Sequence, residues 1–269
     1  MPVFFFALSF VKDINWFNAI ASFFIIHLLV YPASNGYNSY MDRDIDSIGG
    51  VEKPMQPTKE LFYTTVVMDI SAILLSLLIS LIFAVAITIY ILCSRMYSYR
   101  GIRLKQFPII GYLIVILNQG ALIFASVYSV SKLDTTFDIP IIGLISASFL
   151  IGGFYPITQI YQHKSDKADG VETISMMLGK RGTFIFCGIM YAIAFMLLFF
   201  YYREIDSINS FLILQIFFVP VIIYFLKWFK DVWINESFAD FKNTMRMNII
   251  ASTCTNLAFI TLIILNQLG

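Results

Sequence analysis

The stretch from Leu61 to Tyr97 is largely apolar, and its length constrains the fold more than any other feature of the chain. As one helix, its 37 residues would measure about 55 Å, nearly twice the hydrocarbon thickness of a bilayer. The spacing therefore predicts two helices joined by a very short turn near Leu78 to Ser80. Other apolar runs, each close to the length needed for one crossing, lie at about 17 to 41, 108 to 128, 139 to 161, 182 to 202, 209 to 227 and 247 to 266. A chain of this pattern is a multi-pass membrane protein, and a composition of 59% hydrophobic and 13% charged residues agrees, being far from that of a soluble domain.

The opening segment, "MPVFFFALSFV", gives only about 16 Å of helix before Lys12 and Asp13, too little to cross. It has neither the basic leader nor the cleavage site of a signal peptide. The expectation is that the sequence starts inside its first span. The fold class is then all-α, a single domain over residues 1–269 with nine transmembrane helices, the first one short. Alternate connections sort the cations. One set holds Arg43, Lys53, Lys59, Arg95, Arg100, Arg103, Lys105, Lys164, Lys167, Lys180, Arg181, Lys227, Lys230, Lys242 and Arg246; the other holds only Lys12, Lys132 and Arg203. A division of 15 against 3 places the first set on the cytoplasmic side, here of a bacterial-type inner membrane.

A net charge of +1 and the absence of Rossmann or P-loop glycine patterns argue against nucleic-acid and soluble nucleotide chemistry. Cys93, Cys187 and Cys254 lie far apart in apolar runs and are assigned no function. The polar signal is "NSYMDRDID", residues 38 to 46. On a helix, Asn38, Asp42 and Asp46 drift only about 40° per step of four and share a face, with Asn35 close to the stripe and Asp44 pointing elsewhere. Carboxylates this close repel unless a positive charge lies between them, and oxygen ligands of this kind suit Mg²⁺. Mg²⁺ is usually held by one or two carboxylates plus phosphate oxygens, so a diphosphate is the natural partner. The following loop, "SIGGVEKPMQPTKE", supplies Lys53 as a cation.

These residues resemble the UbiA-type intramembrane prenyltransferases. "NSYMDRDID" is similar to the N-D-x-x-D-x-x-x-D signature, with Ser39 in place of the usual Asp, and "EKPMQP" is similar to the basic-proline segment that follows it. Farther on, placing Gln159, Gln162, Asp166, Gly170 and Thr173 on one helix gives a single face. Asp166, Gly170, Thr173 and Leu178-Gly179 resemble the family's second acidic motif, but Gln162 stands where its first Asp would be. An amide brings no charge, and Asp169, about 60° round such a helix, is the candidate for compensating. Tyr97, Arg103 and Lys105 fit a Tyr-Ser-x-x-x-x-R-x-K pattern whose basic groups face the diphosphate in the family; Arg100 is a weaker candidate, and positive-inside anchoring accounts for any one of them alone.

The resemblance implies Mg²⁺-dependent transfer of an isoprenyl group from an allylic isoprenoid diphosphate to a lipophilic, expectedly aromatic, acceptor through an allyl carbocation. It assigns metal binding to Asn38, Asp42, Asp46 and Asp166, and diphosphate binding to Asn38, Lys53, Tyr97, Arg103, Lys105, Gln162 and Asp169. Catalysis would rest on Asp42, Asp46, Asp166 and Lys105. Expected partners are the isoprenoid diphosphate, the acceptor and membrane lipids, with no nucleic acid and no obligate protein partner. The alternatives are a terpene cyclase on the same scaffold and a transporter; the latter would place charge near the midplane and repeat its broken helices. Asn118, Gln119 and Tyr155 are candidate pocket liners, with helix packing as an equal explanation. Asp69 is either functional or paired, His27 and His163 suggest packing, and "FADFKNTMRMN" reads as an interfacial helix before the last span.

Overall fold

The computed structural model describes residues 2–43, 51–134 and 138–268. The helices are α1 (Pro2–Ser9), α2 (Trp16–Asp42), α3 (Lys59–Ile79), α4 (Leu81–Ser98), α5 (Pro108–Ser131), α6 (Ile141–Phe154), α7 (His163–Ala168), α8 (Ile174–Glu204), α9 (Ile208–Ile234) and α10 (Phe241–Leu268). Among the described residues, eight are long and apolar enough to cross a membrane, α6 with the 3-10 turn Pro156–Thr158 that continues it. With the short α1 they make the all-helical bundle that the sequence predicts. The Leu61–Tyr97 run breaks at a single residue: Ser80 is extended (φ −165°, ψ 154°), and its side chain accepts a hydrogen bond from the Phe83 N–H at 3.1 Å, starting α4 as an N-cap.

Helix α1 is buried inside the bundle. Phe6 and Ala7 have no exposed surface. Phe6 packs against Phe124 of α5 and Phe259 of α10, Phe4 against Phe23 and His27 of α2, and Phe10 stacks on Tyr201 of α8. The carboxyl end of α10 fastens it, through Asn266 Nδ2 to the Ser9 carbonyl (3.1 Å) and Gln267 Nε2 to the Lys12 carbonyl (2.8 Å). Elsewhere, helices approach through small residues. In α6, Gly143, Ala147, Gly152 and Gly153 are buried, and a Cβ on Gly120 would lie 2.7 Å from Ser148 Cα, so the backbones of α5 and α6 touch. Close approach of this kind replaces the hydrophobic drive that lipid removes. Phe17, Val67, Leu78, Leu81 and Ile216 stay exposed, as lipid-facing positions should.

Asp69 of α3 is paired within the membrane region. Arg95 donates to it through Nε at 2.8 Å, donates to Thr65 through Nη1 at 3.3 Å, and lies 3.8 Å over the Tyr37 ring. One guanidinium therefore braces α3 and α4 against α2.

The connections meet in two groups. The end of α2 and the segments after α4, α6 and α9 gather at one end, where Arg100 bonds Met41, Arg103 bonds Asp169 and Lys180 bonds Glu236. At the other end, Asn15 N–H bonds Ser131 and Leu133 N–H bonds Asp13. Several cations placed in connections by the sequence sit on helices instead: Arg95 in the last turn of α4, Lys180 and Arg181 in α8, Lys227 and Lys230 in α9, Lys242 and Arg246 in α10. The helices simply outrun the apolar runs. For the same reason no separate interfacial helix forms before the last span, since α10 already begins at Phe241.

Candidate active site

The first acidic stripe lies on the last turns of α2. Asn35, Asn38 and Asp42 share a face and line one polar cavity, together with Ser39. Helix α2 ends at Asp42, where Arg43 takes the left-handed conformation (φ 54°) and its N–H bonds the Ser39 carbonyl at 3.0 Å. The expected continuation of the stripe to Asp46 falls on Asp44 and Asp46, which lie outside the described residues. Asn38 is fixed by Ser98 of α4, whose hydroxyl donates to Oδ1 at 2.7 Å.

A basic loop between α4 and α5 ties this helix end to the second acidic segment. Arg100 donates to the Met41 carbonyl at 2.7 Å and the Asp42 carbonyl at 3.4 Å, satisfying two carbonyls at the negative end of α2. It also reaches Asp169 at 3.3 Å. Arg103, 9% exposed, pairs with the Asp169 carboxylate, donates to the Asp169 carbonyl at 3.0 Å and lies 3.9 Å from Asp42. Lys105 pairs with Asp42. Arg100, weighted lightly from sequence, is thereby a bridge between the two segments.

The second segment is not one helix. After α6 the chain runs through Pro156–Thr158 as a 3-10 turn, then turns, the six-residue α7, a left-handed Gly170 (φ 70°) and extended backbone to Thr173, which caps α8 by accepting from the Met176 N–H at 3.3 Å. Gly170 takes a conformation that a Cβ disfavours. The single helical face is therefore replaced by a folded strap, yet Gln159, Gln162, Asp166 and Thr173 still line the cavity that holds Asp42. Asp169 lies at the end of α7 with Arg100 and Arg103 as partners, and Lys53 is exposed beyond α2. His163 opens α7 and bonds Ser175 Oγ at 2.8 Å. Burial first, and the Lys180 charge second, lower its pKa from 6.5 to about 4 against the opposing pull of Glu236, so the ring is neutral.

The polar cavity has a volume of about 320 Å³ and contains Asp42, Lys105 and Asp166. Tyr97 and Tyr155 meet in it hydroxyl to hydroxyl, and Gln159 Nε2 donates to Tyr155 at 2.8 Å. Deeper, α5 passes through a π-helical segment, Ile116–Leu122, whose widened turn puts the adjacent residues Asn118 and Gln119 both on the wall. Asn118 Nδ2 donates to the Tyr90 carbonyl at 3.1 Å. A second, apolar cavity of about 300 Å³ adjoins the first, the two sharing Asn35, Tyr90 and Gln119. Phe6, Phe154, Phe218 and Phe259 are among its walls. Sequence reasoning missed Tyr90 and Ser94, although hydroxyls at Tyr90, Ser94 and Ser98 recur every four residues along apolar α4.

Among the described residues no three His, Cys, Asp or Glu side chains form a metal-binding group by themselves. The oxygen donors around the polar cavity, Asp42, Asp166, Asn38 and Gln162, are nevertheless of the hard type that suits Mg²⁺ when phosphate and water complete its shell.

The fold has close counterparts. A UbiA homologue from Archaeoglobus fulgidus, solved with DMAPP and Mg²⁺, superposes with a TM-score of 0.69 at 18% identity, covering 97% of this chain and 93% of that one. Its form with GPP and Mg²⁺ gives the same score and identity, with 97% and 94% covered. Digeranylgeranylglyceryl phosphate synthase matches with a TM-score of 0.62 at 19% identity, over 98% and 92% of the two chains. No curated protein matches in sequence. The pattern of the UbiA prenyltransferase family runs through residues 1–250. A match of that extent decides membership: the chain belongs to the UbiA prenyltransferase family.

Proposed function

We propose that this prenyltransferase takes an allylic isoprenoid diphosphate, ionises it with Mg²⁺ at the polar cavity, and transfers the isoprenyl group to a lipophilic acceptor. The observation that carries the reading is the convergence of Asp42 and Asp166, from separate parts of the chain, on a polar cavity that adjoins an apolar one. The Archaeoglobus homologue, solved with DMAPP or GPP and Mg²⁺, supports it.

In this reading Asp42 and Asp166 hold the metal, with Asn38 and Gln162 as neutral oxygen donors and Asp46 as a further ligand. Bound Mg²⁺ supplies charge that neutralises the leaving diphosphate. Lys105, beside Asp42, donates to diphosphate oxygens as negative charge grows there. Tyr97 offers its hydroxyl from the same wall, and Lys53 adds positive potential from the loop. Arg100 and Arg103 act one step back, holding Asp169 and the end of α2 in register. The apolar cavity takes the tail and excludes water, and the ring of Tyr90 at the junction stabilises a nearby allyl cation through its π face. The excess of cations at the site end supports a cytoplasmic mouth, in a bacterial-type inner membrane.

Turnover of a panel of isoprenoid diphosphates in nanodiscs, with Mg²⁺ present or chelated, tests the proposal. Chelation and Asp42→Ala should each abolish diphosphate release. Turnover that persists after both refutes it, and a cyclised product formed without any acceptor would move the assignment to a terpene cyclase.

A further inference from the structure

The charge inventory of the two cavities restricts the acceptor. The chain has 18 Lys and Arg residues. Of these, Lys105 alone lines either cavity among the described residues, and it is already paired with Asp42. The other cations near the site do not line the cavities and already face carboxylates: Arg95 faces Asp69, Arg100 faces Asp169, and Arg103 faces Asp169 and Asp42. The segment 44–50 contains no Lys or Arg, and Lys53 beyond it is exposed and lines neither cavity. The inner wall is instead neutral. Ser34 and Ser94 hydrogen-bond each other at 2.6 Å, and Asn35, Asn118 and Gln119 present amides.

We infer that the acceptor carries an uncharged, hydroxyl-bearing head group at this inner wall, and not a carboxylate or phosphate. The inference rests on the prenyl-transfer reading above. A diphosphate at the mouth takes Lys105, so among the described residues the cavity walls offer no further cation to a second anion held at the inner end. A carboxylate placed against Ser34, Asn118 and Gln119 would lose its hydration without gaining a counter-charge, which is costly in a desolvated site. A hydroxyl both donates and accepts, and so matches walls of amides and hydroxyls that do the same. In the transfer, the bond from C1 to the diphosphate oxygen breaks with its electron pair going to diphosphate. The acceptor supplies the pair for the new bond, and the proton it loses passes to diphosphate or to water at the mouth.

The test compares acceptors matched in ring and size but not in charge. With geranylgeranyl diphosphate and Mg²⁺ in nanodiscs, hydroquinone and 4-hydroxybenzyl alcohol should be prenylated with kcat/KM at least about 100-fold above that for 4-hydroxybenzoate. Gln119→Lys, which places a cation on the inner wall, should narrow that ratio about 10-fold or more; the preference of the unaltered protein stands as a test even if this variant does not fold. Equal or better use of 4-hydroxybenzoate by the unaltered protein overturns the inference. Mg²⁺-dependent binding of geranyl thiolodiphosphate, an unreactive analogue, is measured in parallel. If it binds and the anionic acceptor is preferred, only this inference falls. If it does not bind, the prenyl-transfer reading falls and takes the inference with it.

Discussion

The two acidic segments reach the same cavity by different constructions. On α2, Asn35, Asn38 and Asp42 are presented by helix periodicity alone, and their helix is held by Ser98, by Arg100 on its last carbonyls and by the Arg95 guanidinium over Tyr37. Between α6 and α8, Gln159, Gln162, Asp166 and Thr173 are delivered by turns, a short helix and one left-handed glycine. The first arrangement rests on a regular helix braced by tertiary contacts; the second depends on irregular local backbone as well as on the hold that Arg100 and Arg103 take on Asp169. Substitutions should therefore act through different causes in the two segments, and four measurements sharpen or break that contrast.

The largest expected effect is at the carboxylates. Asp42→Ala should lower diphosphate release by about 1000-fold or more and Asp166→Ala by about 100-fold, both within the range for groups that stabilise developing charge. Equal losses would mean that the segments contribute alike. Next is the brace behind α2: Asp69→Ala strands Arg95 in the membrane region and should destabilise the protein by about 3–5 kcal/mol, read by chemical unfolding in mixed micelles. The double change Asp69→Leu with Arg95→Met should recover most of that loss. Third, Gly170→Ala forces a Cβ into a left-handed position (φ 70°), at about 1–2 kcal/mol. Here the activity loss should appear as a raised Mg²⁺ requirement, because Asp166 is what the strap positions. Smallest is a pH effect. The His163 pKa falls from 6.5 to about 4 on folding, so the unfolded chain binds more protons between those values. Its contribution is complete above pH 6.5 and is lost as pH falls towards 4. His163→Asn should flatten the stability profile across that window.

The same contrast explains what the sequence revealed. The membrane crossings and the break at Ser80 were legible because bilayer thickness and an N-capping serine leave little choice, whereas the helix ends were not, since the helices continue past the apolar runs. Asn38 and Asp42 were legible because a helix turns fixed spacing into a fixed face. Where the backbone leaves the helix, spacing loses that meaning: Gln159 to Thr173 keeps helical intervals without forming one helix. The signals were present in the Asp169-Gly170 pair, a turn former, and in Thr173 as a cap before an apolar run. Arg100 was underweighted because two of its three partners are main-chain carbonyls, which carry no mark in sequence.

The position of α1 couples two properties that are often separate. Pro2, Val3 and Phe6 form part of the apolar cavity's wall, while Val3 and Phe6 also belong to the packed interior. Shortening Phe6 to make room for a longer hydrocarbon would therefore excavate the keystone of the bundle, with a loss of about 3–5 kcal/mol. Leu150 and Ile151 border the same chamber but are only partly buried. On the proposed placement of the tail, a change of length preference is expected to come through α6 at little structural penalty and not through α1.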